Sequence, residues 1–207
     1  MRTYLMDLLE RLSMPEPGVS SADSISWHAH REAEQLRDLA LVADLDEFLS
    51  SNPPARKRIA AYFIVGAIGK NCGSGECASM LVRYASSEKD KYALHGLLDR
   101  LAEIPKPNHI DLEPLFALLE DQRWLVRHAA IRSLMNVSSP EPEVRLLALL
   151  GSTTDPHDLI YCHATLNRIG TAKSLVALRS NLTSRKRDVK LSAAAAIDAI
   201  EARIRVH

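Results

Sequence analysis

Eight histidines, three cysteines and 26 acidic side chains are the groups in this 207-residue chain that could hold a metal, attack a substrate or move a proton. His28 and His30 are two apart, an offset that on a helix turns the rings about 200° from each other, so the pair makes no chelate there. His157 and His163, six apart, face different ways by the same reasoning. Cys72 and Cys77 flank Gly73-Ser74-Gly75-Glu76 at a loop-to-helix junction, and a single CxxxxC lacks the four-ligand set of a structural zinc site. The carboxylate pairs Asp44/Asp46 and Glu141/Glu143 share the two-residue offset. No GxSxG, HExxH, GxxxxGKS/T or GxGxxG is present, and Gly73-Ser74-Gly75 follows no strand that could build a phosphate loop. The expectation is no metal, no cofactor, no catalytic residue, and a protein that is not an enzyme.

The elements that would position these groups are set by an internal repeat. Val65, Leu101, Leu134, Leu166 and Ile197 are landmarks separated by 36, 33, 32 and 31 residues. Three positions after them stand Ile68, Ile104, Val137, Ile169 and Ile200; four positions before stand Ala61, Leu97, Ala130, Cys162 and Ala193. These offsets fall within about 60° of one another at 3.6 residues per turn, so each landmark marks the apolar stripe of an amphipathic helix. Sixteen residues upstream come Leu49, Ala85, Leu118, Leu150 and Asn181, each in a preceding apolar segment. Breaks at Asn52-Pro53-Pro54, Gly73-Ser74-Gly75, Pro105-Lys106-Pro107, Ser138-Ser139-Pro140 and Thr154-Asp155-Pro156 separate the periodic stretches. No segment shows sustained strand alternation.

At Leu118–Leu134, LLEDQRWLVRHAAIRSL resembles a HEAT repeat of the short kind found in phycobilisome-lyase-type HEAT-like proteins, with an acidic turn, Val-Arg, paired alanines and a leucine. LNRIGTAKSLVALRSNL, residues 166–182, is similar to that family's Ile-Gly junction and the first helix of the next repeat, and VGAIGK at 65–70 echoes it. The resemblance covers residues 53 to 204. It implies an all-α chain, a right-handed α-solenoid of about five HEAT-like helix pairs. The second and fifth pairs carry Leu94 and Lys190 where Arg127 stands, so no ion ladder is expected along the whole array. Residues 1–52 are read as an amino-terminal helical cap and 53–207 as one continuous array. Ile59–Ile68 is apolar on every side and must be covered on both faces, which the cap would do. On the last helix Leu191, Ala195 and Ala199 point away from the stripe, as a modest exposed patch or a dimer contact.

In a curved array the second helices line the concave side, so residues opposite the stripe are the candidate partner-binding groove. They are His95, Asp99 and Glu103 in the second pair, His128, Arg132 and Asn136 in the third, and Arg168 in the fourth, beside Ile160 and Ala164. Trp124 is expected to pack across the inter-helix turn, as tryptophan usually buries. Trp27 lies in a region without repeat identity, and Cys162 is expected to be an inert core thiol.

Lys plus Arg equals Asp plus Glu at 26 each, so no net field favours a polyanion or a membrane. Sparse, odd-numbered cysteines, and Asp7 and Glu10 within the apolar amino-terminal stretch, point to a cytoplasmic protein without a signal peptide. No apolar run approaches the roughly 18 residues that span a bilayer. The leading expectation is a non-enzymatic scaffold or adaptor that docks a protein partner in the groove, as a monomer or weak homodimer. One form of it is an inhibitor or immunity-type protein holding a toxin or enzyme domain, which suits a small neutral chain of bacterial character. The resemblance implies two alternatives. A phycobilin lyase-like enzyme calls for an aromatic-lined groove, and this chain has only ten aromatic residues. A HEAT-like DNA glycosylase calls for a basic concave face. Here Arg56-Lys57-Arg58 and Arg185-Lys186-Arg187 sit at opposite ends, while Asp99 and Glu103 would oppose phosphate, so nucleic acid is disfavoured.

Overall fold

The computed structural model describes residues 2–206, and among them every regular element is helical. Two compact units are present, one ending at Lys106 and the other starting at Pro107.

The first unit holds α1 (Thr3–Ser13), α2 (Ile25–Ala33), α3 (Leu41–Ser50), α4 (Ala55–Cys72), α5 (Gly75–Ala85) and α6 (Lys91–Leu101). Short polar residues start three of these helices by accepting orphan backbone N–H groups. Ser24 Oγ takes that of Trp27, Ser74 Oγ that of Cys77, and Asp90 those of Tyr92 and Ala93. α4 stops at Gly73, whose φ of 62° is a left-handed conformation that a side chain would strain. α1, α2, α3, α5 and α6 all pack on α4, which explains its lack of a polar face: Ala60, Ala61, Tyr62, Ile64, Val65 and Ile68 are all buried. α3 packs on α4 as the first helix of its repeat, and α1 and α2 also pack on each other.

Close approach of α4 and α6 depends on Gly66. A Cβ there would lie 2.5 Å from Arg100 Cβ, so the Arg100 stem occupies the space that a side chain would need. A buried ionic knot locks the other end of α4. Arg58 donates two 2.7 Å hydrogen bonds to Glu88 and a third to Pro53 O, while Tyr62 Oη and the Asp90 N–H also donate to Glu88. Burial alone would raise the Glu88 pKa, but these donors outweigh it and hold the carboxyl below its usual range. Lys106, fully buried, closes the end of α6 by donating to Leu101 O and Ile104 O. Burial pushes its ammonium down to about 7.

The second unit holds α7 (Glu113–Ala117), α8 (Trp124–Ser133), α9 (Glu141–Ser152), α10 (Pro156–Ile169), α11 (Leu175–Asn181) and α12 (Arg187–Val206). Single 3-10 turns extend α7 and precede α11. α8, α10 and α12 lie side by side, and each first helix packs on its own partner. The landmarks Leu134, Leu166 and Ile197, with Ala130, Cys162 and Ala193, are all buried. The same holds for Val65, Leu101, Ala61 and Leu97 in the first unit.

Polar side chains set the register between neighbours here. Thr165 Oγ1 on α10 donates to Ile131 O of α8, and Asn167 Nδ2 donates to Ala195 O of α12. The buried His163 ring bridges three helices: its Nδ1–H donates to Ser192 Oγ at 2.9 Å, and its Nε2 accepts from Asn181 Nδ2 at 3.2 Å. Buried Glu143 of α9 accepts from the Thr171 N–H, Thr171 Oγ1 and Ser174 Oγ, and so pins the start of α11. On α12 Leu191 is 56% exposed, while Ala195 is exposed and Ala199 half-buried.

Candidate functional site

The most concentrated chemistry lies where the amino ends of α8 and α10 meet in the second unit. Arg127 of α8 places Nε 2.9 and 3.0 Å from the two oxygens of Asp158 on α10, and its Nη1 donates to Asp121 O just ahead of α8. Asp158 is 4% exposed and also accepts from His128 Nε2 at 2.9 Å and Thr153 Oγ1 at 3.1 Å. With the carboxylate ionised, the His128 proton sits on Nε2, and burial lowers the imidazole pKa more than Asp158 raises it. Asp155 caps α10 by accepting the His157 N–H. That bond, with lesser help from the His157 ring and Arg127, holds the Asp155 carboxyl below its usual range.

Outside this ionic layer is a recess of about 460 Å³ lined by Trp124, His128, Asp155, His157 and Tyr161. The His128 and Tyr161 rings stack with centroids 4.4 Å apart and planes 17° apart, and Trp124 stands 5.7 Å from His128. The inner wall is therefore fixed by stacking and by the Asp158 hydrogen bond. The outer rim is exposed: Trp124 is 62% accessible.

Donor atoms of His128, Asp155 and Asp158 approach within 4.8 Å of one another, the spacing of a cation site. Arg127 already answers that charge, because its guanidinium lies on both Asp158 oxygens and its Nη2 is 3.5 Å from Asp155. The donors fit a guanidinium better than a metal ion. Spacing along one helix could not show this cluster, since its members come from two helices and the turn between repeats.

Residues 112–198 match the family model for HEAT repeats. That segment runs from the residue ahead of α7 into α12 and contains the whole cluster. No curated protein matches this chain. Arg127, Asp121 and Asp158 thus lie within the segment similar to HEAT repeats, where they tie α8 to α10 and to the turn ahead of α8. No helix among the described residues is long and apolar enough to cross a membrane.

The residues nominated from sequence are distributed unevenly. His95 and Asp99 lie on α6, half-buried and 3.7 Å apart. Glu103 is two residues past the end of α6 and pairs with Lys70 of α4 at 2.8 Å, so it does not extend the α6 face. Asn136 also lies beyond its helix, in a left-handed turn with φ of 57°. His128 corrects the sequence reading outright. It was expected on an open face, yet it is 7% exposed. A second helix in an array is covered by its own first helix and also by the next second helix, so a residue opposite the stripe can face a neighbour instead of solvent. Arg132 is half-buried on α8, and Arg168 is exposed on α10. Trp124 is corrected in the other direction. At the first position of α8 it projects over the rim and does not pack beneath the turn. Trp27 on α2 is 41% exposed, with the Arg31 guanidinium 5.0 Å from its ring. Asp155, His157, Asp158 and Tyr161 were not nominated. The Asp-Pro-His start of α10 and the Val-Arg-His of α8 were the available signals, but only their meeting in space gives them meaning.

Proposed function

We propose that this protein is a non-catalytic docking module that binds a protein partner over the α8–α10 surface, with Trp124 as the anchor. HEAT repeats are generally protein-interaction scaffolds, which supports the reading. The observation that carries it is the exposure of Trp124 at the mouth of a recess whose inner wall is rigid. Tryptophan is a residue type that dominates binding energy when a partner covers it. The buried carboxylate behind the recess, Asp158, is spent on Arg127, His128 and Thr153, which favours a structural over a catalytic role. Arg168 and Arg132 extend the surface along α10 and α8.

The finer form of this reading is an inhibitor or immunity-type protein, built from short phycobilisome-lyase-type repeats, cytoplasmic, and a monomer or weak homodimer. Three free thiols fit a reducing compartment. The test is a photo-crosslinking residue placed at position 157, beside the recess, in one experiment and at 176, on α11, in another, inside cells that make the protein. One discrete adduct from 157 and none from 176 is expected. Trp124→Ala should lower recovery of that partner by about thirtyfold, the effect of an anchor worth about 2 kcal/mol. Equal labelling from both positions, or undiminished recovery, refutes the assignment.

A further inference from the structure

A separate recess of about 440 Å³ lies in the first unit, lined by Glu34, Gln35, Phe63, Gly66, Ala67, Lys70, Asn71, Arg100 and Glu103. Its feature is the Arg100 side chain. The stem lies against Gly66, where an added Cβ would come within 2.7 Å of its Cβ, Cγ and Cδ. The guanidinium then sits 5.1 Å from the centroid of the Phe63 ring. Held by both contacts, Arg100 makes no side-chain hydrogen bond to another described residue, and its one ionic neighbour, Glu103, is 3.9 Å away. Glu103 is itself engaged by Lys70 at 2.8 Å, and Glu34 by Arg31 at 2.7 Å. Arg37 adds a further positive charge by donating to Asn71 O. Each carboxylate lining the recess therefore has a closer cation, while Arg100 keeps its fork of N–H donors available.

We propose that this recess is a carboxylate-binding site in which Arg100 forks onto an Asp or Glu side chain presented by a partner protein. Planar guanidinium and planar carboxylate match through two parallel hydrogen bonds, and a lysine in the same place could not supply them. Arg100 is already ordered by Gly66 and Phe63, so binding freezes little additional side-chain motion. The charge balance selects an acidic over a basic or apolar occupant. Lys70, 58% exposed at the edge, adds long-range attraction without setting the geometry. This site involves none of the residues assigned to the Trp124 surface.

The experiment uses glutarate as the probe and glutaramide as its uncharged counterpart, with the full chain held at constant ionic strength. The readout is the NMR resonance of the Arg100 Nε–H, assigned by its loss in Arg100→Lys. Glutarate is expected to shift this resonance saturably in the millimolar range, glutaramide to leave it unmoved, and Lys70→Gln to weaken the response about threefold or less. In Arg100→Lys, which keeps the charge, neighbouring Phe63 and Asn71 signals should respond at least tenfold more weakly to glutarate. A shift that does not saturate, an equal shift with glutaramide, or an unchanged Phe63 response in Arg100→Lys overturns the proposal. Crosslinking from position 157 reads the other surface, so failure here leaves that reading standing and the reverse also holds.

Discussion

Acidification should destabilise the second unit through His163, and the size of the effect follows from its environment. The ring is fully buried, and its two nitrogens are matched to one neutral tautomer by Ser192 and Asn181. A second ring proton would point at the Asn181 amide donor. Burial accordingly pushes the pKa down to about 4 from an ordinary 6.5. In the unfolded chain the ring takes its proton near 6.5, so between these values the unfolded state binds more protons, and stability falls as pH is lowered. At about 1.4 kcal/mol per pH unit, moving from pH 7 to pH 5 removes about 2 kcal/mol, and the full loss approaches about 3 kcal/mol near pH 4. His163→Gln keeps one acceptor and one donor but cannot titrate in this range. Urea unfolding followed by Trp124 fluorescence, in a Trp27→Phe background, should therefore show a pH 7-to-5 loss about 2 kcal/mol smaller in the variant. His128 shifts in the same direction and the lowered carboxylates titrate further down, and both are common to the two proteins. Identical pH slopes in the pair, or a native-state His163 titration midpoint near 6.5, would refute the reasoning.

Gly66→Ala sets two rules against each other, since helix propensity alone predicts a gain of about 1 kcal/mol. The clash with the Arg100 stem predicts a loss of about 1–3 kcal/mol from separating α4 and α6, and urea unfolding followed at Trp27 reads the sign directly. Glu143→Leu leaves the Ser174 hydroxyl and Thr171 donors without their acceptor and should cost about 2 kcal/mol, visible as earlier unfolding of the second unit; no loss would show that the pin is dispensable. In the native protein one thiol, Cys72, should react promptly with a disulfide reagent. Cys77 and Cys162, whose pKa values burial raises, should appear only after denaturant is added; three fast thiols would contradict the packing.

Sequence periodicity located the helix pairs because core contacts recur at fixed offsets along a helix, and a missing apolar residue at such an offset would leave a hole. The burial of Val65, Leu101, Leu134 and Leu166 in their respective units follows from that rule alone. So does the apolar girth of α4, which other helices of its unit surround. The start of α10 at Asp155 and the stop of α4 at Gly73 were equally legible, since capping and left-handed geometry depend on local residue type.

What one-dimensional spacing could not supply was the partner of each polar side chain. His128 and Trp124 lie four residues apart on α8, yet one is buried against Asp158 and Tyr161 while the other stands in solvent. Glu103 and Asn136 left their expected faces because their helices ended a turn early. Gly66 reads as an ordinary weak point of a helix until Arg100 is found lying across it. A chain determines for itself which of its faces must leave water, because that follows from its own periodicity. Which charges meet, and which remain available to a partner, depends on residues about thirty positions away, and only packing in three dimensions brings those together.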